Sequence, residues 1–425
     1  MDTAEVVGQE YKPRVIDSAV QRALEASGAV VLEGARASGK TMTALNAARS
    51  YAFLDDPDNR RLMEVAPSSL LEGAAPRLLD EWQVTPDLWN LVRRAVDASP
   101  EPGRFILTGS AVPTDDVTRH TGAGRFLRLR QRTLTWWEKS GDAQDSVSLS
   151  QLFEGKKPKT NVDVAPELDS VIGLLLQPGF PAMAPLTAVQ AAARLRGYID
   201  DVARTDIQRI ADIRNRPEVI KQLITALARS VATEVTFATL ASDLRSVAPA
   251  IDAETVSNYV GLLQRLFIVE AQLPWTPALR SRARVRTSSK LHLVDPALAA
   301  AALGAGSEQL HGDLATVGTL FESAVVHDLT VFAAALDGEV THYRDSYEKE
   351  IDAIITLPDG RWGAVEVKLG GQQFASGAAA LNAAIEQVDT EAIGEPVFRL
   401  VVTGTGPVLT ADDGTITLPL SVLAP

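Results

Sequence analysis

"VVLEGARASGKTMTA", residues 30–44, sets an apolar run directly against a glycine-bounded loop that ends in Lys and Thr. Gly34, Gly39, Lys40 and Thr41 satisfy the spacing G-x-x-x-x-G-K-[ST]. "AVVLE" (29–33) predicts a buried strand before the loop and "TMTALNAAR" (41–49) a helix after it, the context that a phosphate cradle requires. In such a cradle the backbone N–H groups of Gly34, Ala35, Arg36, Ala37, Ser38, Gly39, Lys40 and Thr41 curl around phosphate oxygens, and the helix turns its positive end toward them. Lys40 then reaches the β- and γ-phosphates, and the Thr41 hydroxyl ligates Mg²⁺. The expected ligand is ATP with Mg²⁺. A chance match in an ordinary turn is the competing reading, and the flanking strand and helix weigh against it.

Working outward, "PRLLDEWQ" (76–83) offers an apolar strand ending in Asp80 and Glu81. Asp80 would hold Mg²⁺ through water, and Glu81 would orient the attacking water. "YAFLDDP" (51–57) predicts another strand, between these two in sequence; a sheet in which a strand separates the loop strand from the Asp-Glu strand is the kind that carries a glutamate base. "GRFILTGSA" (103–111) predicts a fourth strand, and its tip, Thr108 or Ser110, is where such a sheet places a γ-phosphate sensor. "HTGAGRFLRLRQR" (120–132) puts Arg125 in a glycine turn and then alternates Leu127 and Leu129 with Arg128, Arg130 and Arg132. Period two puts those three arginines on one strand face, either a solvated edge or an anion-binding one. Arg125 stands apart as a candidate arginine finger or sensor, within the chain or across a subunit interface.

The chain has 425 residues, too many for one core, so two to four domains are expected. A hydrophobic content of 46% and a charged content of 22% match an ordinary globular protein. With no Cys, neither disulfides nor a thiolate zinc site can form. The N-terminus lacks a signal-peptide pattern and no apolar run reads as long enough to span a bilayer, so a cytoplasmic location with no membrane partner is expected. A net charge of −13 excludes a chain coated all round for nucleic acid but leaves room for local basic patches. The polar stretch 139–165 reads as an insertion or linker, and 303–313, rich in Gly and polar residues, as a second break. The expected division is 1–138 for the P-loop domain, 139–215 for a linker and helical connector, 216–302 for a winged-helix-like domain and 303–425 for a C-terminal α/β domain.

"GARASGKT", "YAFLDDP", "LLDEWQ", "ILTGSA", "HTGAGRFLRLR" and "LTWWE", in this order, resemble the AAA-like P-loop ATPases of bacteria and archaea. "GFPA" (179–182) and "YIDDVARTDI" (198–207) match the middle segment of that family. The resemblance implies an α/β fold class in three parts: an AAA-like P-loop NTPase domain with a parallel sheet, a helical and winged-helix-like middle, and a C-terminal domain of unknown function with a restriction-endonuclease-like core.

In the middle, "TFATLASDL" (236–244) and "AETVSNYVGLLQRLFIV" (253–269) have helical periodicity, and "LRSRARVRTSSKLHLVD" (279–295) reads as a β-hairpin. Helix, turn, longer helix and hairpin is the order of a winged helix. Arg280, Arg282, Arg284 and Arg286 alternate along one strand face with Lys290 nearby, a stripe suited to the phosphates of DNA. Beyond Ser257, Asn258 and Gln264 the longer helix offers few base-reading side chains, so a protein-packing role is the alternative.

In the C-terminal part, "YRDSYEKEIDAIITLPDGRWGAVEVKLG" (343–370) reads as strand, turn, strand. Glu366 and Lys368, two apart, share a face, and with Asp352 they give the D…E-x-K pattern of a restriction-endonuclease-like fold. Asp352 and Glu366 would hold Mg²⁺, Lys368 would stabilise the attacking water, and Glu322 on the preceding helix adds one more acid. A structural role predicts instead that Lys368 pairs with a carboxylate and leaves no room for metal. Three functions follow: an ATPase whose nucleotide state controls a DNA-binding, nuclease-like module; a Mg²⁺-dependent nuclease gated by ATP; or a non-enzymatic, nucleotide-switched interaction protein. ATP, DNA and a second copy of the chain are the partners these features allow.

Overall fold

Strand β1 (Ala29–Glu33) is buried along almost its whole length because it has a hydrogen-bonded neighbour on either side. In the computed structural model, which describes residues 2–99, 101–112, 123–141, 146–164, 166–211, 216–276 and 288–425, β1 belongs to a five-stranded sheet. The other strands are β2 (Ser50–Phe53), β3 (Arg77–Asp80), β4 (Phe105–Gly109) and β5 (Phe126–Arg130), in the order β2-β3-β4-β1-β5 and all parallel. Both faces are covered, so the central strands read as unbroken apolar runs. Alternate residues still separate. Ala29 and Val31 join Trp82, Trp89, Phe105 and Leu107 on one face, while Val30 and Leu32 join Val20, Leu24, Leu45 and Ile106 on the other. Helix Leu88–Ala98 closes the first face through Leu88, Trp89 and Val92, with Trp89 stacked on Phe126 at 4.1 Å. Helices Asp17–Ala26 and Lys40–Ala47 close the second. The strand that separates β1 from β3 is β4, and the 51–57 stretch supplies the edge strand β2.

This sheet lies in the first of two units, Met1–Thr133 with Thr205–Ile213 and Gly261–Ile268. The second unit comprises Leu134–Arg204, Arg214–Val260 and Val269–Pro425. Here the polar stretch that reads as a linker is tied down. β6 (Val147–Ser148) pairs in parallel with Leu423–Ala424, Asn161 bridges Val408, and Phe153 packs edge-on against Phe398 at 5.0 Å. Pairings one or two residues long leave no periodicity to read.

Helix Pro217–Arg229, β7 (Thr233–Glu234), helices Phe237–Leu244 and Ala253–Arg265, β8 (Val269–Gln272) and β9 (Lys290–Leu293) follow in that order, with a small antiparallel sheet β7-β9-β8. Helix Leu314–Ala335 then precedes β10 (Glu339–Arg344), β11 (Glu350–Thr356) and β12 (Trp362–Lys368), an antiparallel meander. Helix Phe374–Ile385 makes the crossover that a parallel partner requires, from β12 to β13 (Arg399–Thr403). β14 (Leu409–Thr410) and β15 (Ile416–Pro419) complete a six-stranded mixed sheet, β10-β11-β12-β13-β15-β14. Trp275, Tyr343, Trp362 and Leu381 fill one of its faces, with the two tryptophan rings 4.8 Å apart. Contrary to the sequence reading, helix Leu314–Ala335 is long and apolar enough by length and composition to cross a bilayer. Glu322 and Asp328 interrupt it on paper, and 67% of its most apolar window is buried inside the protein.

Candidate functional site

The chain leaves β1 at Glu33 and passes under the carbonyl of Gln131. A Cβ at Gly34 would lie 2.1 Å from that oxygen, so only glycine fits. Ala37 and Gly39 are left-handed, with φ of 64° and 95°, and such reversals turn successive N–H groups into a concave, anion-seeking surface. Helix Lys40–Ala47 starts here, and its first-turn amides have no acceptor of their own within the helix. The Ser38 hydroxyl is buried without a hydrogen-bond partner.

Lys40 is buried, and its Nζ donates to the Ala35 carbonyl at 2.8 Å. Burial holds the ammonium down to a pKa of about 8, opposed by the charges of Glu81 and Asp80. The hydroxyls of Thr41 and Thr108 both donate to Asp80 Oδ1, at 2.9 and 2.6 Å. Burial raises Asp80 to about 6 against the pull of those two hydroxyls. Glu81 is left-handed at φ 58°, a conformation that costs a non-glycine residue about 1 kcal/mol or more. Its amide donates to Thr108 Oγ1 at 3.0 Å, and its carboxylate accepts from the Ser110 hydroxyl at 3.1 Å and from the Gln83 amide. Lys40, Thr41, Asp80, Glu81 and Thr108 thus converge at the carboxyl ends of β1, β3 and β4, where open α/β sheets take ligands. The donor set fits a phosphate group with Mg²⁺: a desolvated ammonium, hard oxygens from Thr41 and Asp80, and an unsatisfied loop hydroxyl.

Two bracing residues carry no motif and escape a sequence reading. The buried Arg14 guanidinium donates to the carbonyls of Ser38 at 3.1 Å and Arg132 at 2.9 Å, and the Gln131 side chain donates to Ser38 at 3.1 Å. Arg36 reaches away from the loop to Asp206, 3.4 Å distant. Arg125 is not brought to the loop of its own chain. It precedes β5, whose Phe126 pairs with Ala29 and whose Arg130 pairs with Glu33, so about 13 Å of strand separates it from the level of the loop. It binds Asp97 instead, at 2.8 Å. Arg128 pairs with Glu33 and lies 4.9 Å over the Trp89 ring, and Arg130 lies 5.0 Å over Phe267.

In the second unit, Asp352 and Glu366 sit opposite one another on β11 and β12, next to the Ala353–Val365 pair. Asp352 Oδ2 accepts from the Val367 amide at 2.8 Å, and Lys368 Nζ lies 2.7 Å from Glu366 Oε1. Lys290 does not belong to a DNA-facing stripe. It is 3% exposed, and its Nζ approaches Glu322 at 2.7 Å, Glu350 at 2.6 Å and Asp352 at 3.7 Å. Strand alternation places it by sequence among Arg280, Arg282, Arg284 and Arg286, and those four lie outside the described residues. Burial, then the charge of Asp352, raises Glu322 and Glu366 to about 8. As arranged, these carboxylates do not fit a divalent cation, because an ammonium stands among them. No group of three or more acidic, His or Cys side chains among the described residues is set to hold a metal.

Residues 26–138 match the profile of an AAA domain, 169–309 that of a domain of unknown function, DUF8612, and 317–423 that of another, DUF4143. The uncharacterized proteins Mb2031c of Mycobacterium bovis and Rv2008c of Mycobacterium tuberculosis are each 24% identical over 356 residues, covering 82% of this chain and 72% of theirs. Among solved structures, the Walker-type ATPase PABY2304 of Pyrococcus abyssi is 13% identical with a TM-score of 0.40, covering 68% of this chain and 95% of its own.

Proposed function

We propose that this chain, an AAA-like P-loop protein by the match of residues 26–138 and with a DUF4143 domain over 317–423, binds ATP with Mg²⁺ and hydrolyses it at the ends of β1, β3 and β4. The observation that carries this reading is the meeting of Lys40, Thr41, Asp80, Glu81 and Thr108 around one point beside the loop. The loop amides and the Lys40 ammonium grip the phosphate chain. Thr41 and Asp80 would hold Mg²⁺, which would supply positive charge to the phosphate oxygens. Glu81, steadied by Ser110 and Gln83, orients the attacking water and takes up its proton. Thr108 links the two residues, donating its hydroxyl to the Asp80 carboxylate and accepting from the backbone amide of Glu81.

The nucleotide state then controls the rest of the chain, divided at 138, 215 and 302, in a cytoplasmic protein. The order helix, strand, two helices, two strands over 217–293 supports a winged helix there, with DNA phosphates as the partner of Arg280, Arg282, Arg284 and Arg286. The order helix, three strands, helix, strand over 314–403 supports a restriction-endonuclease-like core. Pairing of Lys368 with Glu366 and of Lys290 with three acids favours, for that core, an interaction module over a metal-dependent nuclease. Arg125 serves a bound nucleotide only from a second copy. The direct test is ATP binding by Lys40→Ala. Loss of the buried cation weakens ATP by about thirtyfold or more. Unchanged affinity would mean that the loop does not hold the nucleotide.

A further inference from the structure

A buried ammonium stands at the centre of the C-terminal acids. Glu350 and Asp352, two apart on β11, share a face, and Glu322 reaches the same point from helix Leu314–Ala335. Lys290 arrives from β9, with its Nζ within 2.7 Å of Glu322 and 2.6 Å of Glu350. An ammonium nitrogen and a divalent ion compete for the same oxygen lone pairs, and a site closed on one has no room for the other. We propose that Lys290 is the resident cation of this cluster: it takes the place of a divalent ion among Glu322, Glu350 and Asp352, and metal can bind there only when Lys290 is withdrawn.

The strand that carries Lys290 is held close to the cluster by its neighbours. Gln272 on β8 pairs with Lys290 in the sheet, and its amide donates to the Asp352 carbonyl at 2.8 Å. Its oxygen lies 3.2 Å from His292, whose other ring nitrogen lies 3.1 Å from the Ser323 hydroxyl, next to Glu322. Burial lowers the Lys290 pKa, but Glu322, Asp352 and Glu350 outweigh it and hold the group above its ordinary value. Lys290 is therefore charged. Removing it would take the shared cation from three partly buried acids, which favours capture of another cation. Glu322 and Lys368 also line a cavity of about 590 Å³, which gives an ion from solvent a route to this edge of the cluster. The inference stands apart from ATP hydrolysis, since every group in it lies in the second unit.

The test is binding of Mn²⁺ to the full-length, nucleotide-free chain, followed by its electron paramagnetic resonance signal and by calorimetry. The unsubstituted chain and Asp352→Asn should bind Mn²⁺ identically up to about 1 mM, because the cluster contributes nothing. Lys290→Met should gain one site, with a Tm raised by several degrees when Mn²⁺ is added. Lys290→Met combined with Asp352→Asn should lose both gains. A variant that folds only when Mn²⁺ is present gives the same support. Two results overturn the proposal: Mn²⁺ binding by the unsubstituted chain that Asp352→Asn abolishes, or a Lys290→Met chain that takes up no Mn²⁺ whether it folds or not.

Discussion

Asp80 is pulled in two directions, since burial favours its protonated form and the Thr41 and Thr108 hydroxyls favour its charge. The balance leaves it near 6, so that it is mostly ionised at pH 7 and ready for a cation. Affinity for Mg²⁺·ATP should therefore fall toward pH 5, by about tenfold per unit below the pKa, and Asp80→Asn should flatten the profile while lowering it throughout. The sign for stability is the opposite. The folded state holds this proton more tightly than the unfolded chain does, so the contribution of Asp80 to nucleotide-free stability grows as pH drops through 6 toward the ordinary range. Gly34 tests the loop by geometry alone. Gly34→Ala drives a methyl group into the Gln131 carbonyl, and a cost of about 1–3 kcal/mol in a thermal melt is expected, together with weakened ATP binding. A variant as stable as the parent would mean that the loop does not pass under residue 131. Lys40, Thr41, Asp80 and Glu81 were legible because each belongs to a short local pattern. Arg14 was not, because its bonds to Ser38 and Arg132 join positions far apart in the chain and leave no local trace.

At the scale of elements, the hairpin of β11 and β12 shows how far a pattern reaches. The turn, the two strands and the facing of Asp352 with Glu366 all follow from alternation about "LPDG". What alternation cannot express is the partner. Lys290 lies 62 positions upstream of Asp352 on another sheet, and as a sequence it continues an arginine stripe. In helix Leu314–Ala335 the acids within the apolar run are likewise partnered from a distance, Glu322 by Lys290 and the buried Asp328 by the Trp136 amide. The hairpin and the helix packed beside it also carry a pH dependence. Glu322 and Glu366 are raised to about 8, so between the ordinary carboxylate range and pH 8 the folded chain binds more protons than the unfolded one, and stability is lost as pH rises through that window. Lys290, Lys368 and Asp352 share the cluster, and each is held above its ordinary value. The Tm should decline between pH 6 and pH 9, and Glu322→Gln should reduce the decline. A Tm that climbs over this range would contradict the burial of these acids.

For the whole molecule, the parallel sheet with its loop and the mixed sheet with its acids are separate centres in separate units. If the second unit answers to nucleotide by meeting DNA, its contacts are with phosphates. Affinity should then fall linearly in log K against log salt, and Arg282→Glu with Arg284→Glu should reduce the slope by about 2 on any sequence. Equal slopes for parent and variant would leave a packing role for this segment. In the first unit, Glu81 is what separates an ATP-hydrolysing site from a loop that merely binds phosphate. The decisive measurement sets ATP affinity beside single-turnover hydrolysis in the parent chain and in Glu81→Gln. Glu81→Gln should keep the parent's affinity and hydrolyse ATP about a hundredfold or more slowly. Hydrolysis at the parent rate in Glu81→Gln, or none in the parent chain, would contradict this reading.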